Sequence, residues 1–458
     1  MLRALLFLAL AASPLAAQTP PQVPQDAAQI SLSFAPVVKQ AAPAVVNIYA
    51  RRVVQARSPF AGDPLFDRMF SDMRGRPQVQ NSLGSGVILS ADGIVVSNYH
   101  VVGQATDIRV VLNTGDEYAA RVLLGDEEAD LAILKLEEAA DMPFLPLRDS
   151  DTVEVGELVL AIGNPFGVGQ TVSSGIVSGL ARSGTATGNA RGYFIQTDAP
   201  INPGNSGGAL VDVAGRLIGV NTSILTRSGG SNGIGFAIPS ALVAQFVDQA
   251  RAGKTSFERP WAGMTGQSVD ADLSENLGLS RPGGVVIAQM HPASPFARAG
   301  LQVGDVVRAV DGLPVNTPPE MLFRMSVRGL GHAARVAYLR DGTPREAEVT
   351  MIAPPDLPPQ DRTTLDERAV LPGLTVARVN PAVLAELGQV DGPEGVVVLD
   401  PGPWGARIGL QRGDILRAVN GREVKAPGDV DPLLRRAAPR LQIDALRGGT
   451  RLALRVRL

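Results

Sequence analysis

Between residues 44 and 239 the apolar positions come in short bursts, most of them rich in β-branched residues. AVVNIYARRVV, SGVILSADGIVVSN, DIRVVLNTGDEYAARVLL, LVLAIGN and RLIGVNTSIL are separated by Gly and Asp turns. Runs this short predict strands rather than helices, and so many in succession predict an all-β sandwich or barrel. The period changes at PSALVAQFVDQARAG (239–253), where Leu242, Val243, Phe246, Val247 and Ala250 fall at helical spacing. Ser240 is placed to cap that helix and Gly253 to end it, closing the first domain. A second helical pattern (Leu65, Phe66, Met69, Phe70 and Met73) lies in the segment 58–76, which interrupts the strands. Its apolar face either packs on its own domain, or meets another subunit or covers a cleft.

Past this helix the chain repeats itself. AGLQVGDVVRAVDGLPV (299–315) and IGLQRGDILRAVNGREV (408–424) agree at about ten of sixteen positions from Gly300 and Gly409 onward. Two copies do not make a solenoid, so they read as two similar domains, over 258–354 and 371–458. The prolines and charges of 355–370 suit a stiff, solvated linker between them. A chain of 458 residues accommodates these two domains and a larger first one over 18–257.

Composition narrows the chemistry. The net charge of −3 lacks the clustered basic excess that phosphate neutralisation requires, which argues against a nucleic-acid partner. AGKTS (252–256) is no Walker loop: Asp248 stands where its first glycine belongs, and the tract ends a helix instead of starting one. No ATP or other cofactor is implied. With no cysteine, disulfides and thiolate catalysis are excluded, and the three histidines, His100, His291 and His332, are too scattered to suggest a zinc site. The leader MLRALLFLALAASPLAA has one arginine, a short apolar run and small residues. It reads as a signal peptide over 1–17, since its apolar run is well short of the ~20 residues that span a bilayer. The expected product is exported, with no stable membrane span.

One stretch carries the candidate chemistry. In QTDAPINPGNSGGALVD (196–212), Ser206 lies between an asparagine and two glycines. A serine hydroxyl is a weak nucleophile unless a base takes its proton. Of the three histidines, His100 in SNYHVV shares a domain with Ser206, and Asp130 in DEEADLAILKL stands at the mouth of a strand as a possible orienting acid. Asp198 is the rival acid; otherwise it holds the loop around 200–205 by accepting backbone N–H bonds. Gly204, Asn205 and Ser206 form the turn that could hold an oxyanion, with the N–H groups of Gly204 and Ser206 the natural pair. A tight β-turn is the plainer reading of GNSGG. It does not account for His, Asp and Ser occurring in one β domain in that order.

The run SNYHVV, ADLAILKL, QTDAPINPGNSGGAL and GIGFAIP, followed by two PDZ-like repeats, resembles the HtrA/Deg family of exported serine proteases, and within it the two-PDZ, Do-like periplasmic branch. The resemblance implies a mainly β fold, a trypsin-like double β-barrel protease domain followed by two α+β PDZ domains. Carried over by motif, His100 is the general base, Asp130 its orienter and Ser206 the nucleophile. Thr222, Ser223, Ile224, Leu225 and Thr226 are expected to line the cleft and pair with the peptide. Ile234, Gly235 and Phe236 are expected to border a primary pocket for small aliphatic residues. The segment 58–76 corresponds to a regulatory loop that crosses between trimers.

A PDZ domain captures an extended peptide as an added strand and holds its terminal carboxylate in a backbone nest. Trp261, Ala262, Gly263 and Met264 occupy that place in the first copy, and LPGL (371–374) in the second. Ala262 departs from the large aliphatic residue usual there, and Pro372 has no N–H to offer. The first copy is therefore expected to bind peptide ends and the second to pack against other subunits. The resulting expectation is an ATP-independent periplasmic endopeptidase acting on unfolded polypeptides and their C-termini, with chaperone activity, assembled as trimers and larger cages. A PDZ-bearing chaperone or scaffold with an idle protease site is the alternative, and a membrane-anchored stress sensor a more distant one.

Overall fold

The computed structural model describes residues 33–54, 78–164, 169–183, 193–202, 204–224, 233–437 and 440–457. The leader 1–17 and the segment 58–76 lie outside them. After helix α1 (Ala35–Ala41), six strands form the first barrel: β1 (Val45–Val54), β2 (Gln78–Ile88), β3 (Ile94–Ser97), β4 (Asp107–Val111), β5 (Glu117–Asp126) and β6 (Leu131–Leu136). A one-turn helix, α2 (Tyr99–Val102), follows β3. Six more strands form the second barrel: β7 (Leu158–Gly163), β8 (Thr171–Ser183), β9 (Tyr193–Thr197), β10 (Ala209–Asp212), β11 (Leu217–Ile224) and β12 (Gly235–Pro239). Both sheets close on themselves, in the orders β1-β2-β3-β6-β5-β4 and β10-β11-β12-β9-β8-β7.

Helix α3 (Ser240–Arg251) seals the pair by burying Val243, Phe246, Val247 and Ala250, and Phe246 stacks on Phe257 at 4.0 Å. The expected cap is not made. Ser240 is the first helical residue, and its hydroxyl donates to the Arg148 carbonyl, so it ties the helix to the second barrel instead. Gly253, at φ +81, does take the left-handed conformation that ends the helix.

The first repeat folds as β13 (Met264–Ser268), α4 (Ala271–Asn276), β14 (Val285–Met290), α5 (Pro295–Arg298), β15 (Val306–Val310), β16 (Leu313–Pro314), α6 (Pro318–Arg328), β17 (Ala333–Arg340) and β18 (Thr343–Thr350). The second runs β19 (Thr363–Thr364), β20 (Thr375–Arg378), α7 (Pro381–Glu386), β21 (Val396–Asp400), α8 (Gly402–Arg407), β22 (Ile415–Val419), β23 (Arg422–Glu423), α9 (Val430–Ala437), β24 (Arg440–Arg447) and β25 (Thr450–Arg457). Each repeat has its own apolar core. The stretch expected to be a solvated linker is solvated only in part. β19 pairs with β20, and Leu365 is buried with the second domain, because two threonines and a leucine in an otherwise proline-rich stretch can add to an open strand edge.

Helix α6 docks the first repeat on the protease barrels. Phe323 stacks on Tyr193 at 3.8 Å, Arg324 donates to the Tyr193 hydroxyl at 2.8 Å, and the same guanidinium pairs with Asp151. Burial in this contact pushes the Tyr193 phenol pKa up. Among the described residues, no helix is long and apolar enough to cross a membrane.

Candidate active site

The buried strand β3 ends at Ser97, and through Asn98 the chain turns into α2, which sinks Val101 and Val102 and leaves the His100 imidazole half exposed. Asp130 faces it from the turn before β6. Its backbone is left-handed, at φ 52, a conformation aspartate tolerates better than most residues. That strain is held by the two residues before His100: Tyr99 N–H and the Asn98 side-chain amide donate to the Asp130 carbonyl at 3.2 and 3.0 Å. The carboxylate accepts His100 N–H at 3.0 Å, and both of its oxygens lie 2.9 Å from His100 Nδ1. An ionised carboxylate can only accept, so Nδ1 carries the proton, and Nε2 of the neutral ring keeps a free lone pair.

The Ser206 loop is fastened to both barrels. Ser206 C=O accepts from Ser85 N–H at 2.9 Å, and the Ser85 hydroxyl donates to the Gly204 carbonyl at 2.7 Å while accepting Asn164 N–H at 2.8 Å. Gly207 and Gly208 are present because nothing larger fits. A Cβ on Gly207, which has φ +82, would lie 2.1 Å from the Ser85 carbonyl oxygen, and one on Gly208 would lie 2.3 Å from that of Ile162. Asp198 accepts Ile176 N–H at 2.7 Å, so the rival acid is tied to β8 and not to N–H groups of 200–205, and among the described residues no hydrogen bond joins it to His100.

Thr222 joins the parts. Ser206 Oγ donates to the Thr222 carbonyl at 3.0 Å, and Thr222 Oγ1 donates to Asp130 Oδ2 at 2.6 Å. His100, Asp130 and Ser206 are thus brought to one place, with a single residue bridging the acid and the serine. Among the described residues no hydrogen bond links Ser206 to His100: the hydroxyl is turned toward Thr222.

The oxyanion expectation needs one correction. Asn205 N–H donates to the Asn202 carbonyl at 3.0 Å and closes the turn, and its side-chain amide is fully buried, so neither group is presented to a substrate. The N–H groups of Gly204, at φ +98, and Ser206 donate to nothing among the described residues.

The cleft residues divide similarly. Thr222 is 7 % exposed and its hydroxyl donates to Asp130, so its side chain supports that carboxylate instead of lining a cleft. Ser223 and Ile224 belong to β11, while Leu225 and Thr226 lie outside the described residues. Phe236 is 2 % exposed and packs near Phe194, ring centres 6.0 Å apart, so its side chain is core and not pocket wall. Ile234 is half-buried, and Gly235 is overlaid by Ile201, whose Cδ1 lies 2.8 Å from where a Cβ would stand.

Sequence reasoning missed Ser85, Thr222 in its bridging role, and Ile201. Ser85 had a signal: Gly84 and Gly86 flank it inside a strand, which marks a close approach of backbones. A Cβ on Gly84 would meet Val101 at 2.8 Å.

A groove of about 420 Å³ runs between β13 and α6 of the first repeat, bordered by Trp261, Ala262, Gly263 and Met264 and by Met321 and Met325, with Ala385, Gly388, Gln389 and Val390 of the second repeat also lining it. Trp261 needs a correction within this set, because its N–H donates to Ile352 C=O at 2.8 Å and is not free for a carboxylate. Gly263, at φ +62, turns the chain into β13. Among the described residues no group of His, Asp and Glu side chains is placed to hold a metal ion.

Comparisons with known proteins agree with this geometry. Residues 84–220 match the trypsin-like peptidase domain, and 245–351 and 395–444 each match a PDZ domain. The chain is 34 % identical over 435 residues to the periplasmic pH-dependent serine endoprotease DegQ of Escherichia coli, covering 93 % of this chain and 91 % of that one. It is 33 % identical over 478 residues to the periplasmic serine endoprotease DegP of the same species, covering 98 % and 97 %. A solved structure of the HtrA-type protease AlgW with a decapeptide superposes with a TM-score of 0.53 at 40 % identity, covering 71 % of this chain and 99 % of that one.

Proposed function

The chain belongs to the HtrA family of serine endoproteases with PDZ domains, and from that premise we propose which residues perform its peptide cleavage and on what substrates. Ser206 attacks the scissile carbonyl. His100 Nε2 takes the hydroxyl proton and returns it to the leaving amine, and Asp130 holds the tautomer and stabilises the imidazolium. Water then releases the acyl group by the same route. The oxyanion of each tetrahedral intermediate sits on Gly204 and Ser206 N–H, a type of donor typically worth ~10²–10³ in rate.

The observation that supports this most directly is the bridge through Thr222, whose carbonyl accepts from the Ser206 hydroxyl and whose own hydroxyl donates to Asp130, the partner of His100 Nδ1. With the hydroxyl on the Thr222 carbonyl, the resting site is assembled but not engaged. A rotation about χ1 of Ser206 toward His100 switches it on. The half-exposed imidazole fits this order of events, since a bound peptide would displace the water around it and favour the serine as its partner.

The substrates are unfolded polypeptides with small aliphatic residues at the cleavage point, because Ile201 over Gly235 leaves little depth there. Their free ends are held in the groove beside Gly263 and β13. The leader 1–17, together with relatives named as periplasmic, supports work in the periplasm. Assembly into trimers and larger cages and a chaperone activity follow from the family resemblance, and mass measurement of the purified chain addresses the first.

The test is digestion of a reduced, unfolded protein by the chain and by Ser206→Ala, followed by mass spectrometry of the fragments. Loss of cleavage in the variant, with labelling of the unsubstituted chain at Ser206 by a fluorophosphonate, is expected. Equal digestion by both would remove Ser206 from the chemistry.

A further inference from the structure

The two repeats can be laid on each other, WAGM (261–264) against LPGL (371–374), and they then differ in one respect. In the first, β13 is the outer strand of its sheet, with no strand added to its outer edge among the described residues, and it borders the groove that Ala385 and Gly388 to Val390 of the second repeat also line. In the second, the corresponding strand β20 has another strand on its outer edge. That strand comes from the segment leading into the domain: Thr363 lies opposite Val376 and Thr364 opposite Thr375, antiparallel. The pairing extends at both ends, with Arg378 N–H donating to the Gln360 carbonyl at 2.7 Å and Leu365 N–H to the Leu374 carbonyl at 2.9 Å.

Leu365 has what the last residue of a captured peptide needs. Its carbonyl accepts Gly373 N–H at 3.0 Å, the donor that the nest would otherwise present to a terminal carboxylate. The other N–H groups of the nest are no more available: Leu374 N–H donates to the Leu371 carbonyl at 3.2 Å, and Pro372 has none. The Leu365 side chain is 5 % exposed and joins the apolar cluster of Leu371, Leu374, Val376, Val430 and Leu434, in which Val430 and Leu434 come from the flanking helix α9. Added strand, apolar anchor and filled nest are together the marks of strand-addition recognition.

We propose that the second PDZ domain is self-liganded: residues 360–365 occupy its peptide groove, and Leu365 stands where a bound chain's last residue would. The domain is closed to substrate ends as long as this segment stays in place, and the resting chain captures ends through its first repeat only. A tethered occupant has the advantage of a high local concentration over any free peptide. Release of the segment would open a second site without any change in the protease barrels.

This rests on the reading of PDZ grooves here as peptide sites, but the test counts an increment and so does not depend on the first repeat binding. The full chain carrying Ser206→Ala, to prevent cleavage, is titrated with a fluorescein-labelled unstructured peptide ending in a free leucine carboxylate. The same titration is run on Leu365→Asp, which puts a charge in the apolar anchor, and on Leu365→Ala, which weakens the anchor more gently. Both should gain one further peptide per chain, and the gain should vanish when the peptide end is amidated. A third chain combines Leu365→Ala with Thr364→Cys and Thr375→Cys. The protein has no cysteine of its own, and the two hydroxyls are already 2.9 Å apart across the ladder. Oxidation of this chain should remove the additional site and reduction restore it. Calorimetry shows whether the second domain stays folded; if Leu365→Asp unfolds it, Leu365→Ala and the switchable chain decide. An unsubstituted chain that already fills both domains would overturn the proposal. So would folded variants that gain nothing, or an additional site that persists in the oxidised chain.

Discussion

Replacing Thr222 by valine removes one hydroxyl and little else, which makes it the sharpest probe of how this site is supported. Its Oγ1 donates to Asp130 Oδ2 at 2.6 Å, and the residue is 7 % exposed, so water cannot take over from the Thr222 side. Hydrogen bonds to charged groups contribute ~1.5–3 kcal/mol. Asp130 keeps the His100 N–H and Nδ1 contacts and is itself 23 % exposed, which places the expected loss in the lower half of that range. At about 1.4 kcal/mol per tenfold in rate, kcat should fall roughly 10- to 50-fold. KM should hardly move, because the Thr222 carbonyl and the strand around it are unchanged. Thr222→Ser keeps the donor and should stay within about threefold of the parent. Asp130→Asn marks the far limit, at about ten-thousand-fold for a serine triad. The assay is initial-rate cleavage of a quenched peptide, with circular dichroism to show the fold is kept. A valine variant within about twofold of the parent would refute the claim that this hydroxyl supports the acid. So would a loss confined to KM.

Other perturbations follow from the same contacts. Ser85→Ala orphans the Gly204 carbonyl and Asn164 N–H, so it should cost ~1–3 kcal/mol for each group in thermal unfolding and lower kcat more than KM. Gly207→Ala sets a methyl against the Ser85 carbonyl at a positive φ and should cost about 2–5 kcal/mol, with loss of fluorophosphonate labelling of Ser206. Two carboxylates of the second barrel, Asp212 at the end of β10 and Glu157 just before β7, predict an acid limb of stability. Burial alone would raise the Asp212 pKa, but the Arg216 N–H and guanidinium and the Ala214 N–H outweigh it and hold the carboxyl below its ordinary value; the Arg148 guanidinium does the same for Glu157. Both folded-state values are depressed, so this stability is complete above the ordinary carboxylate values of 3.8 and 4.5 and is lost as pH falls through the lower folded ones. Melting temperature against pH should show that limb, and Asp212→Asn should flatten it.

What was legible in the chain depended on the range of the signal. The strand-rich first domain, the closing helix and the paired repeats announce themselves through local period and self-similarity, which need only neighbours in sequence. His100 was found by scarcity and Asp130 by standing before a strand. Ser85 and the bridging role of Thr222 were passed over because a serine in β2 and a threonine in β11 look like ordinary strand residues until the barrels close and set them against the Ser206 loop and Asp130. Asn205 and Phe236 went the other way. Their motif positions suggested contact with substrate, while folding buried both and left Asn205 N–H inside its own turn. The misread linker has the same cause: Thr363 to Leu365 is an unremarkable tripeptide unless a bare strand edge lies nearby.

Strand edges also support, without any appeal to resemblance, the groove beside β13 as the place where a polypeptide would be held. An unpaired strand edge invites addition of a further strand, so each edge here is either dealt with or put to use. The two barrels have none, being closed. β18 is an outer strand but carries Pro344, Arg345, Glu346 and Glu348, and β25 carries Arg451, Arg455 and Arg457, charges and a proline of the kind that discourage pairing. β20 is covered by the chain's own 363–364. β13, reading MTGQS, is an outer strand with no charge, no proline and an apolar groove beside it. The helix on the far side of that groove, α6, turns Met321 and Met325 toward the groove and Phe323 and Arg324 toward Tyr193 at the start of β9. An added peptide strand therefore bears on the same short helix that touches the second barrel. On the proposed reading, capture and cleavage are linked by this one helix, which lines the groove with Met321 and Met325 and meets Tyr193 with Phe323 and Arg324.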